Sequence, residues 1–88
     1  MKSYIFNPEY VVCENNSTSI VFTSNMEYIY VFKEVESIIL KVFFHATIID
    51  EAVEKISSVF SDGSFMPQEC LNFINVLITE GILIDAKD

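Results

Sequence analysis

The sequence predicts a small α+β domain, an antiparallel sheet of three strands followed by three helices, and three observations point there. Apolar residues follow a two-residue period through the first third of the chain and a helical one from Lys33 on. Turn-forming clusters, Asn15-Asn16-Ser17-Thr18 and Ser24-Asn25, cut the first third into strand-length pieces. Pro67 and Gly81 stand where a last helix would start and stop.

The first predicted strand is Tyr10-Val11-Val12-Cys13-Glu14, rich in residues that suit a pleated surface. Asn and Ser side chains in the cluster that follows hydrogen-bond their own backbone, which favours a turn over a ladder. Ser19 to Thr23 makes a second strand and Tyr28-Ile29-Tyr30-Val31-Phe32 a third, so the expected product is a three-stranded meander. From Lys33, Val35, Ile38, Ile39, Val42 and Phe43 fall at i, i+3, i+4, i+7 and i+8, one stripe of a first helix. Thr47-Ile48-Ile49-Asp50 reads as a capping box with Asp in place of Glu, opening a second helix whose stripe is Ile49, Ala52, Val53, Ile56 and Phe60. Ser61-Asp62-Gly63-Ser64 is expected to end it, with Gly63 as the stop.

The third helix is expected from about Pro67 to Glu80, with Pro at its first turn and Gly81 behind it. At 100° per residue, Cys70, Leu71, Phe73, Ile74, Leu77 and Ile78 span an arc of about 160°, and Val76 widens it to about 220°. A core-facing stripe needs only about 100°, so one edge of this helix faces something besides the core. Ile82-Leu83-Ile84 is a short apolar tail that either adds a strand or tucks under the sheet. The order of elements is that of a winged-helix-like domain.

At 88 residues the chain is a single domain, residues 1–88, because an ordinary core takes roughly 100 to 150. With 51% apolar and 14% aromatic residues it buries a core rather than remaining disordered. Five Lys and no Arg oppose thirteen carboxylates, a formal net charge of −8, which argues against binding a phosphate backbone. The N-terminus lacks a signal core, and the longest apolar stretch, Ile38 to Ile49, is interrupted by Lys41 and His45, so neither secretion nor a membrane span is indicated. Met1 and the polar end at Asp88 suggest a free-standing protein, and the expected location is the cytoplasm.

No catalytic or cofactor-binding motif emerges. Cys13 and Cys70 stand far apart with no CxxC, and with His45 as the lone histidine they assemble no metal set, so two free thiols are expected. His45 reads as a loop histidine between two helices. Glu34 and Glu36 suit the positive end of the first helix, and Glu51 and Glu54 the wet face of the second. With Gly63 and Gly81 the only glycines, phosphate-cradling loops are excluded.

The third strand is unusual. Tyr28, Tyr30 and Phe32 point one way and Ile29 and Val31 the other, so neither face is polar. At a sheet edge such a strand, unblunted by charge or proline, is a template for another strand. Base stacking on these aromatics would require a basic groove, which Lys33 alone does not make. Core packing, a peptide-binding edge shared with the third helix, and self-association all remain open for them.

Three patterns resemble the PqqD-like family, the RiPP precursor-peptide recognition element, over nearly the whole chain from about Pro8 to Ile84. Tyr28 to Ile39 resembles its strand of tyrosine, valine and leucine running into the first helix. Thr47-Ile48-Ile49-Asp50-Glu51-Ala52-Val53 is similar to its second helix opening, and Phe73 to Leu83 to its closing helix with a Gly-Leu-Ile tail. The resemblance implies a cytosolic, non-enzymatic domain without cofactor. It would capture the leader of a ribosomally synthesised, post-translationally modified peptide by strand addition and present it to a modifying enzyme such as a radical SAM enzyme, a cyclase or a leader peptidase. Carried over by position, the peptide contacts would be Tyr28, Ile29, Tyr30, Val31 and Phe32 on the strand and Cys70, Phe73, Ile74, Val76 and Leu77 on the helix. The chain departs from the family at Lys33 (commonly Asn), Glu36 (frequently Gly), His45-Ala46 (usually Asp-Gly) and Val76 (usually polar). Two other classes compete with this reading: a winged-helix nucleic-acid-binding or transcriptional accessory protein, and a structural protomer that dimerises through the third strand.

Overall fold

The computed structural model describes residues 2–60 and 66–86. The expected stop at Gly63 lies outside the described residues. The meander forms as expected from β2 (Tyr10–Asn15), β3 (Thr18–Thr23) and β4 (Ile29–Lys33), paired antiparallel in the order β2-β3-β4. Asn16 occupies the tight turn with φ 57°, a conformation that Asn tolerates because its short polar side chain bonds locally. The second turn is longer than Ser24-Asn25. Thr23 Oγ1 accepts the amides of Glu27 (3.0 Å) and Tyr28 (3.2 Å), so Tyr28 stays in the turn and β4 begins at Ile29.

No strand is expected before Tyr10 from the local pattern; the structure has one. β1 (Ser3–Phe6) lies at the centre of a second antiparallel sheet, between β5 (Thr47–Ile48) and β6 (Leu83–Asp85). The apolar tail thus resolves as a strand, but it joins this sheet rather than the meander. Its pairs run Tyr4↔Thr47 and Ile5↔Ile84, contacts between segments with no local link in sequence. Further bonds frame it: Phe6 N–H to the Phe43 carbonyl, Asn7 N–H to that of Ile82 (both 2.8 Å) and Ala86 N–H to that of Ser3 (2.9 Å).

Between the sheets run α1 (Val35–Val42), α2 (Ile49–Val59) and α3 (Pro67–Thr79). α1 starts two residues later than the pattern indicates, with Glu34 as its N-cap at φ 53° and no side-chain cap. That left-handed backbone lets Glu34 donate its N–H to the Ser17 carbonyl (2.8 Å), closing the end of the meander, while its own carbonyl accepts from Ile38 (3.1 Å). The capping box at Thr47 does not form. Pairing with β1 draws Thr47 into β5, where it is buried and its hydroxyl bonds the carbonyls of His45 (2.7 Å) and Val42 (3.2 Å); Ile48 becomes the N-cap of α2. Pro67 opens α3 as expected. Gly81, at φ 79°, ends it in a Schellman turn: Ile82 N–H reaches the Leu77 carbonyl (2.9 Å) and Gly81 N–H that of Ile78 (3.1 Å).

The core is made by one face of each element: Val21 and Phe32 from the meander, Ile39, Leu40 and Phe43 around α1, Ala52 and Ile56 from α2, Cys70, Ile74 and Leu77 from α3, and Ile82 and Leu83. Besides Thr47, Ser19 and Ser37 are buried polar residues; their hydroxyls bond each other, so neither is left unsatisfied, and they tie β3 to α1. The α+β class with a three-stranded meander followed by three helices holds, enlarged by the sheet that the two ends of the chain build with β5.

Candidate functional site

β4 is an edge strand, paired to β3 alone. Which of its backbone groups face outward follows from the ladder. Thr23 N–H donates to the Tyr28 carbonyl (3.2 Å) at one end and Glu34 N–H to the Ser17 carbonyl at the other, and in the register Ser19↔Phe32, Val21↔Tyr30 the hydrogen-bonded pairs are those of the same parity. Tyr30 and Phe32 therefore bond inward to β3. The N–H and C=O groups of Ile29, Val31 and Lys33 point away from the sheet with no strand to receive them.

Side chains alternate the other way. Tyr30 and Phe32 turn toward the helices, Phe32 buried and stacked on Tyr30 with ring centroids 6.1 Å apart. Ile29 and Val31 stand on the opposite face, 55% and 52% exposed. The registers align them in two apolar rows across the meander, Val11–Phe22–Ile29 and Cys13–Ile20–Val31. This face of the sheet has no helix against it.

α3 runs beside the inward side of β4. The Phe73 ring meets Phe32 edge-on at 5.4 Å, and the Tyr30 hydroxyl donates to Glu80 Oε1 at 3.0 Å. Glu69, Phe73, Val76 and Glu80 are spaced i, i+4, i+7, i+11, which puts them in one stripe along the helix. This stripe is the excess arc of the sequence pattern: Val76 is 53% exposed and Phe73 half-buried. Cys70 is almost wholly buried, and Ile74 and Leu77 entirely so; they face the core from the same helix. Tyr28 is exposed in the turn. Of the ten residues named from sequence, Ile29, Val31, Phe73 and Val76 offer accessible surface beside β4 and α3, Tyr30 and Phe32 form the floor between them, and Cys70 reaches the cavity described next.

At its α1 end the groove deepens into a cavity of about 400 Å3 lined by Val35, Glu36 and Ile39 of α1, by Glu69, Cys70 and Phe73 of α3, and by Phe60 and Met66. Neither Glu36 nor Glu69 is in an ion pair among the described residues, whereas Lys2 and Lys41 are engaged with Asp85 (3.6 Å) and Glu14 (3.1 Å). The sequence marks Glu36 as a helix-opening carboxylate and as a departure from the family pattern, and Glu69 goes unnamed; the spacing Glu69–Phe73–Val76 is the available signal.

Its hydrogen bond to the Glu80 carboxylate, with some burial, raises the Tyr30 phenol above its ordinary value of 10. Burial pushes the Cys70 thiol up, away from reactivity. Both cysteines are free, Cys13 exposed and Cys70 buried. Among the described residues no cluster of His, Cys, Asp and Glu suits a metal ion, and no helix is long and apolar enough to cross a membrane.

No family model matches the chain, and no curated protein does. Among solved structures, TbiB1 in complex with the TbiA(beta) leader peptide superposes with a TM-score of 0.75 at 14% identity, over 96% of this chain and 99% of that one. The α+β fold expected from the residue patterns is thus shared, end to end, with a protein that has been seen holding a leader peptide.

Proposed function

We propose that this chain is a non-catalytic peptide-recognition protein that receives the leader of a ribosomally synthesised precursor as an added strand on β4 and presents it to a modifying enzyme in the cytoplasm. The observation that carries this reading is the edge itself: outward backbone groups at Ile29, Val31 and Lys33, flanked by apolar side chains and lying beside the Phe73–Val76 stripe of α3. An extended peptide there gains main-chain hydrogen bonds from β4 and alternate side-chain contacts with Phe73 and Val76, the strand-addition mode of recognition. The likeness to TbiB1, whose structure contains a leader peptide, supports the same reading. Glu36, Glu69 and Glu80 along the helix side of the groove oppose a phosphate backbone.

Proline substitution tests it, because proline removes one N–H and is tolerated only where that N–H faces out of the sheet. Val31→Pro is expected to keep a cooperative fold and lose binding of an extended peptide ligand selected on the parent chain from a random linear library, read by calorimetry. Tyr30→Pro, which removes an inward bond, is expected to unfold the meander. A folded Val31→Pro that binds this ligand as tightly as the parent would rule out strand addition.

A further inference from the structure

We infer that the cavity between α1 and α3 is a specificity subsite for one Lys or Arg side chain of the bound peptide, its methylenes against Ile39, Cys70 and Phe73 and its charged head between Glu36 and Glu69. The inference rests on the strand-addition reading and says which residue type that peptide must carry, and where.

The cavity adjoins the end of β4. Phe32, the penultimate residue of that strand, contacts Phe73, which is a wall of the cavity, and Val35 and Glu36 follow β4 directly in the chain. A peptide paired along Ile29–Lys33 and continuing past Lys33 therefore runs over the mouth. At about 400 Å3 the space falls within the roughly 300–1,000 Å3 of ordinary ligand pockets. Its lining is mixed in a particular way: six residues, among them Phe60 and Met66, give aliphatic, aromatic and sulfur-bearing walls, and the charged residues are two carboxylates, both without an ion pair among the described residues.

Three kinds of side chain could enter. An acidic one meets two like charges. A purely apolar one covers the walls but gives the two exposed carboxylates at the rim no partner. A long cationic one does both tasks, since Lys and Arg lay an apolar stem along apolar surface while the head stays polar and paired. The chain's net charge of −8 adds a long-range attraction of the same sign.

The test uses the full chain, a phage-displayed library of random linear peptides, and the variant Glu36→Gln/Glu69→Gln. Both substitutions lie at exposed positions, so an unchanged thermal melt is expected for the variant. Peptides selected on the parent chain, and lost on Val31→Pro, are expected to carry Lys or Arg at one constant offset from their apolar alternation. Replacing that residue by norleucine should weaken binding to the parent about tenfold, and should leave binding to the double variant unchanged. Peptides that need β4 yet show no cationic position, or whose norleucine form binds both proteins alike, would overturn the subsite while leaving strand addition standing. A library that yields no peptide dependent on β4 would overturn both.

Discussion

The two sheets of this molecule have three strands each and are built on opposite plans. The meander is local: each strand pairs with the next in sequence, two turns close it, and β4 is left at an edge with apolar side chains on both faces. The terminal sheet is assembled from three distant segments, and its short strands are bonded into the neighbouring backbone at Phe43, Ile82 and Ser3. Locality is what makes the difference. A hairpin ladder closes short loops and forms without help, so its edge can stay unfilled. A sheet that closes loops of some forty and eighty residues, between Tyr4 and Thr47 and between Ile5 and Ile84, needs buried side chains to hold it. The clamp between the chain's distant segments and the open edge of β4 are thus separated in one small chain.

The comparison can be broken first at the clamp. Leu83 is fully buried in β6, and Leu83→Ala is expected to cost about 2 to 5 kcal/mol in urea unfolding, against within about 0.5 kcal/mol for Val31→Ala on the open edge. Comparable losses at both sites would erase the distinction.

A smaller effect is expected where the meander is tied to α1. Ser37→Ala leaves the Ser19 hydroxyl buried without its partner and should cost about 1 to 3 kcal/mol; Ser19→Ala together with Ser37→Ala should recover most of that, because no orphan remains. A double variant as damaged as the sum of the singles would show that shape, not hydrogen bonding, holds this contact.

Next is the junction at Glu34. Its φ of 53° is strained for any residue with a Cβ, so Glu34→Gly is expected to raise the thermal midpoint, by up to about 1 kcal/mol of stability, where Glu34→Ala does not. A fall with Gly would mean that the Glu side chain itself stabilises the start of α1.

The smallest effect concerns pH. The Tyr30 phenol is raised in the folded chain by its bond to Glu80, so its contribution is fully present below the ordinary value of 10 and is lost as pH rises through the higher folded value. Tyr30→Phe should lower neutral-pH stability slightly, by the little that an exposed hydrogen bond contributes, and flatten the fall above pH 10, measured by denaturant titrations along a pH series. An unaltered alkaline limb would dissociate Tyr30 from it.

Much of this was legible residue by residue. Asn15 to Thr18 announced a hairpin because Asn tolerates the left-handed turn; Pro67 and Gly81 bounded α3 because one lacks an N–H and the other a Cβ. The surplus apolar arc at Phe73 and Val76 marked a helix edge that does not face the core, and that edge lies beside β4. Thr47 misled for a physical reason: a hydroxyl followed three residues on by a carboxylate is locally a cap, and only pairing with β1 turned it into a buried strand residue.

What the sequence determined by itself is therefore short in range: the period of β2 to β4 and of the three helices, the hairpin turn at Asn15–Thr18, the bounds of α3 at Pro67 and Gly81, the apolar character of β4 and the excess of negative charge. What the tertiary structure decided is everything that depends on partners distant in the chain. It recruited Ser3–Phe6, Thr47–Ile48 and Leu83–Asp85 into one sheet, chose Ile29 and Val31 rather than Tyr30 and Phe32 as the outward set, and brought Glu36 beside Glu69 around one cavity. The reason is the period of two in a strand: either alternate set suits the pattern, and only the register against β3, anchored at Thr23–Tyr28 and Ser17–Glu34, selects which one faces the empty edge.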